Sequence, residues 1–202
     1  MSALGGLAPF ARGWRPVPRA GERCEVCAAE LDEQRHRHLV DVERRKLLCV
    51  CQRCRPPHAD RYRLVPSRVL VDPDFTFDDA QWAALEIPVR LAFIFFSSPA
   101  GRWVAFYPSP AGAAESELPL GGFSVLSAAT PLVRTAAADV EALLIHGRPG
   151  SPFETFLVPI DVCYALVGKV RLTWRGFHGG DRAWRELAAF FADLRARAEV
   201  VR

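Results

Sequence analysis

Asparagine is missing altogether, and lysine occurs only as Lys46 and Lys169 among 26 basic residues. The first absence removes the middle residue of a His-Asn-His nuclease motif, although His36 or His38 and the trailing His58 flank a cysteine pair at suitable places. The second leaves positive charge to arginine and, with the abundance of Ala, Gly and Pro, points to a GC-rich bacterial coding origin. No apolar run reaches the roughly 20 residues that a membrane helix needs. Leu4 to Phe10 is apolar, but no basic segment precedes it and no A-x-A site follows, so it reads poorly as a signal peptide and a cytoplasmic location is expected. Also missing are a G-x-S-x-G elbow, a Walker loop and a dinucleotide fingerprint. Asp139, Glu141, His146 and Asp161 include no pair whose spacing demands acid/base chemistry. Nothing announces an enzyme.

What is present is uneven. Residues 1–70 hold 14 basic and 8 acidic side chains, whereas 71–202 hold 12 and 15, so a basic front precedes a mildly acidic remainder. That polarity suits an acidic protein partner or a nucleic acid. For the latter, Arg35, Arg37, Arg44, Arg45, Arg53 and Arg55 are the phosphate-contact candidates, although no aromatics are interleaved for base stacking.

The strongest signal is cysteine spacing. Cys24-x2-Cys27 is followed by 23 residues and then Cys51-x2-Cys54, the pattern of zinc ribbons and treble clefs. A C-x2-C turn lets two thiolates reach one ion from a tight knuckle, and two knuckles complete a tetrahedron. Between them, His38 to Val42 and Lys46 to Val50 read as a hairpin turning at Glu43-Arg44-Arg45. Zinc is the expected ion, with iron the alternative on the same thiolates. Cys49 shares a strand face with Cys51 and is an alternate ligand, as is His38. Four thiolates leave no open coordination position, so the expected role is structural. Cys163, on an apolar helix face, reads as a small core residue.

The expected organisation is a flexible arm over 1–20, a four-cysteine zinc module over 21–60 and an α+β domain over 61–202. In the last, 62–71 reads as an extended connector and 75–85 as a short helix. Residues 89–97 and 103–107 read as a hairpin, 108–117 as a Pro/Gly/Ser loop, and two helical pieces flank Pro131. Strands follow at 140–145 and 155–160, then a helix over 162–174 capped by Asp161. A last helix over 182–199 aligns Trp184, Leu187, Phe191 and Leu194 in one apolar stripe. The predicted fold class is therefore α+β: a zinc-ribbon or treble-clef-like module, then a small mostly antiparallel sheet with C-terminal helices.

The runs CEVC, HRHL, LLCVCQRC, YRLVP, AFYPSPAGAAES, DVEALLIH, LVPIDVCYALVG and WRGFHGG, spread from about Arg23 to the last helix, resemble an uncharacterised actinobacterial family. That family is often encoded beside nickel–iron hydrogenase genes. The resemblance implies a role near hydrogenase assembly or function and carries no activity. The leading expectation is a non-catalytic, zinc-stabilised accessory protein that binds protein partners, hydrogenase subunits among them. Arg44, Arg45, Arg53, Tyr107, Ser109 and Glu115 are the candidate partner contacts. A nucleic-acid-binding zinc ribbon and an iron–thiolate redox or metal-delivery protein are the alternatives.

Overall fold

The computed structural model describes residues 22–32, 35–54, 61–117, 120–148, 150–176 and 179–201. The arm expected over 1–20, Arg55 and His58 lie outside them. Strands β1 (His36–Asp41) and β2 (Lys46–Cys51) form the hairpin that the alternating pattern predicts, and β3 (Tyr62–Leu64) pairs with the other edge of β1. This three-stranded sheet has the order β2-β1-β3. A seven-stranded sheet follows, built from β4 (Leu70–Val71), β5 (Leu91–Ser97), β6 (Arg102–Ser109), β7 (Gly112–Ser116), β8 (Glu141–His146), β9 (Glu154–Pro159) and β10 (Glu199–Val200). Its order is β10-β4-β9-β8-β5-β6-β7, antiparallel except for the β10–β4 edge. The class is α+β.

Helices cover both faces of the large sheet, which is why its central strands are apolar without alternation. On one side, Phe93, Leu144 and Phe156 pack against α4 (Ile160–Thr173) and α5 (Gly180–Arg197) through Tyr164, Leu166, Leu187 and Phe191. On the other, Ile94, Leu143 and Leu157 meet Trp82, Leu126 and Leu132 from α1 (Asp79–Ala83), α2 (Leu120–Ala129) and α3 (Leu132–Thr135). The small sheet joins the first of these cores: Val40 of β1 and Val42 just after it are part of it. The other face of β1 turns Leu39 into a separate cluster with Cys24, Leu31 and Val50.

Several expectations change. The 62–71 connector is two strands, β3 and β4, each in a different sheet, so the chain crosses between sheets here. Three arginines hold this crossing: Arg61 pairs with Asp41 at 2.8 Å, Arg63 with Asp139 at 3.1 Å, and Arg68 makes a two-pronged bond with buried Glu141. The helix expected over 75–85 is confined to Asp79–Ala83 by a capping box of Asp78 and Gln81, leaving Phe75 and Phe77 before it as core residues. The supposed loop 108–117 is the β6–β7 hairpin. Pro108 is tolerated because pairing of β6 with β5 stops at Phe106, so its missing N–H breaks no bond to that neighbour. Helix α5 ends at Arg197, and the last residues become β10 instead. Its buried stripe runs through Ala183, Leu187, Phe190, Phe191 and Leu194, while Trp184 is 51% exposed.

Phe93 stacks on Phe106, meets the edge of Tyr164 and is fully buried. Phe93→Ala should therefore lower stability by about 3–5 kcal/mol, read as a shift in the urea midpoint with an unchanged slope.

Candidate metal centre

The first knuckle is closed by its own backbone. The Ala28 N–H donates to the Cys24 carbonyl at 2.8 Å and the Cys24 N–H to the Ala29 carbonyl at 2.7 Å. Ala28 adopts φ 59°, the left-handed conformation that such a turn requires. In the second knuckle the Cys54 N–H donates to the Cys51 carbonyl at 3.2 Å. Glu25 joins the knuckle to the hairpin: its carboxylate accepts from Lys46 Nζ at 2.5 Å and from the Cys49 N–H at 2.7 Å. One of the two lysines of the chain is thus placed at this joint.

The result is convergence of Cys24, Cys27, Cys51 and Cys54, whose sulfurs all lie within 4.8 Å of one another. The Cys24–Cys54 and Cys27–Cys51 Sγ separations are both 3.7 Å. A disulfide needs about 2.05 Å, whereas a tetrahedral ion with bonds of about 2.3 Å sets its sulfurs about 3.8 Å apart. The spacing fits an ion. Electrostatics agree: although burial opposes it, backbone N–H groups of Cys51, Cys27 and Val26 bring the Cys24 thiol down to about 6. Cys54 goes the other way, pushed up by the Cys27 side chain, by burial and by the Cys51 and Cys24 sulfurs. Four sulfurs this close cannot all carry charge unless a cation shares it. The four residues can hold a metal ion such as zinc, and soft thiolates in a tetrahedron are the donor set for it.

Cys49 and His38, the alternate ligands, stand outside this group. Cys49 packs beside the four-cysteine group without joining it. Instead, Cys49 is the cross-strand neighbour of His38. The His38 ring lies edge-on to His36, and its Nδ1 is 2.6 Å from Asp161 Oδ2. Burial alone would lower the His38 pKa, but Asp161 and Cys49 together raise it to about 9. His38 is thus a charged, buried tie between β1 and the start of α4. Asp161 was expected as the cap of that helix. The helix begins one residue earlier, at Ile160, and Asp161 lies in its first turn, taking His38 on one oxygen and the Val162 N–H on the other. Cys163 is fully buried among core side chains, where burial pushes its thiol up.

A model of DUF5947, a family of unknown function, matches residues 23–198, from the first knuckle to the end of the last helix. The chain belongs to that family. No curated protein and no solved structure matches it.

The candidate partner contacts of the DUF5947 chain are scattered. Arg44, Arg45 and Arg53 are exposed on the small sheet and its knuckle, Arg44 beside Asp41. Glu115, on edge strand β7, pairs with Arg102 at 3.3 Å. Tyr107 and Ser109 line a cavity of about 540 Å³ between one end of the large sheet and helices α4 and α5. Two residues that sequence reasoning left aside share that cavity, His146 and Trp184. The only sequence signal for His146 was an imidazole ending an apolar strand. Its ring stacks on Phe191 at 4.0 Å. Among the described residues, no helix is long and apolar enough to cross a membrane.

Two predictions follow from this geometry. Cys54→Ser should abolish stoichiometric metal retention while Cys49→Ser keeps it, as read by elemental analysis of the purified variants. The second concerns acid. Burial brings the His146 pKa down from 6.5 to about 4, with Arg148, Arg195 and Arg90 adding to it and Glu154 opposing. Between those values the unfolded chain binds the extra proton, so His146 stabilises the fold fully above about 6.5 and that contribution disappears as pH falls through 4. The loss is about 3 kcal/mol at most, and the stability difference between wild type and His146→Phe should change by that amount between pH 7 and pH 4.

Proposed function

We propose that this DUF5947 member is a non-catalytic, cytoplasmic interaction protein whose N-terminal module is held together by structural zinc. The observation that carries this reading is the pair of 3.7 Å sulfur separations in a four-cysteine group. Four thiolates saturate a tetrahedral ion and leave no position for water or substrate. Among the described residues, the module's own buried core is Cys24, Leu31, Leu39 and Val50, too little to organise 40 residues without a metal.

The partner reading is a protein with an acidic face, for which the exposed Arg44, Arg45 and Arg53 supply complementary charge. Nickel–iron hydrogenase subunits are the partner class we favour, on the resemblance to an actinobacterial family encoded near hydrogenase genes. The second reading, iron on the same four sulfurs, has the same donor set in its favour.

Both are tested on a tagged copy purified from native cells. The expected result is a colourless protein with one zinc per chain and hydrogenase subunits in the eluate at low salt, released as salt rises. Visible iron–thiolate absorbance would favour the redox reading, and repeated failure to recover hydrogenase subunits removes the partner assignment.

A further inference from the structure

We infer that the cavity bounded by Trp174, Trp184, Tyr107 and His146 is a binding site for a small organic acid with a flat apolar body, its carboxylate received at Arg148. The volume, about 540 Å³, lies within the range of small-ligand sites, roughly 300–1,000 Å³. The site is independent of the metal: its walls come from the far end of α4, from α5 and from the ends of β6 and β8.

Three observations set the ligand chemistry. The first is a polar ring in the cavity wall. His146 is 6% exposed, lines the cavity and is held flat against Phe191. An imidazole fixed in an apolar wall offers a ligand a hydrogen-bonding group of set orientation.

The second is charge. Arg90, Arg148 and Arg195 surround His146, opposed by Glu154. Arg195 is taken up by Glu154 at 2.7 Å and Arg90 by Asp79. Arg148 lines the cavity, is exposed and has no ion-pair or hydrogen-bond acceptor for its guanidinium among the described residues. One uncompensated guanidinium at an apolar cavity selects a monoanion, and its planar fork suits a carboxylate.

The third is shape. Trp174 and Trp184 lie 5.8 Å apart at 58° and form an angled aromatic wall. The Trp174 ring is fixed: its N–H donates to the Gly176 carbonyl at 3.1 Å, and Gly179, at φ 79°, packs so closely that a Cβ there would stand 2.9 Å from the indole. Trp184, 51% exposed on an amphipathic helix, forms part of the cavity wall. A planar hydrocarbon body matches such a wall.

The probe is 1-naphthylacetate, with neutral 1-naphthylacetamide as its charge control. Binding to the intact protein is followed by titration calorimetry and by tryptophan fluorescence. We expect saturable binding of the acid with quenching, and binding of the amide weaker by about tenfold, the scale of one charge-assisted hydrogen bond. Arg148→Ala should weaken the acid about tenfold and leave the amide unchanged. His146→Phe, which keeps the stack on Phe191, should weaken the acid, and if that variant does not fold the Arg148→Ala comparison decides. No saturation by the acid up to about 1 mM, equal affinity for acid and amide, or an acid affinity indifferent to Arg148→Ala overturns the assignment.

Discussion

Four sulfurs within 4.8 Å of one another repel as thiolates, and a shared cation is what lets such a group stay together. That constraint propagates outward. The Cys51 N–H donates to Cys24 Sγ at 3.3 Å, which fixes the end of β2 against the first knuckle. Glu25 then fixes Cys49 and Lys46 on the same strand. With β2 held at both its ends, β1 inherits its register from the hairpin, and the register decides which side chains face the helices.

That choice joins the sheet to the remainder. A one-residue slip of β1 would turn Val40 away from the main core and part His38 from Asp161, leaving the buried His38 ring without that partner. Asp161 lies 123 residues beyond His38, so this tie crosses most of the chain. The arginines at 61, 63 and 68 reinforce it from the crossing segment, each paired with a carboxylate at most 5% exposed. The small sheet therefore packs as a continuation of the larger core through one face, while its other face keeps a small core beside the cysteines.

The local parts were legible in the sequence. Two C-x2-C pairs, the alternation around Glu43-Arg44-Arg45 and the apolar stripe of α5 each state their structure over short spans, because knuckle, hairpin and helix are local geometries. The errors fall where long-range pairing decides. Leu70–Val71 and Glu199–Val200 are two-residue strands formed only through partners far along the chain, and no local propensity marks them. Pro108 argued for a loop because a proline disrupts a strand flanked on both sides, and the sequence does not say where β5 stops pairing. Trp184 fits an apolar stripe by spacing alone, yet it lies at the stripe's margin, and only the position of the cavity shows it. His38 and Asp161 are ordinary residues until the fold brings them within 2.6 Å.

The buried carboxylates of the chain are explained by their partners. Asp41 accepts Arg61, Asp139 takes Arg63 and the Ser98 N–H, Glu141 takes Arg68 and the Ala137 N–H, and Asp72 takes Thr130. Each of these buried carboxylates is engaged in joining one segment to another. Cys163 is fully buried, and burial pushes its thiol up. His146, Arg148, Trp174 and Trp184 come together at one cavity. That cavity offers stacking and one positive charge at the far end of α4, while at its near end the His38–Asp161 contact joins the helix to the small sheet.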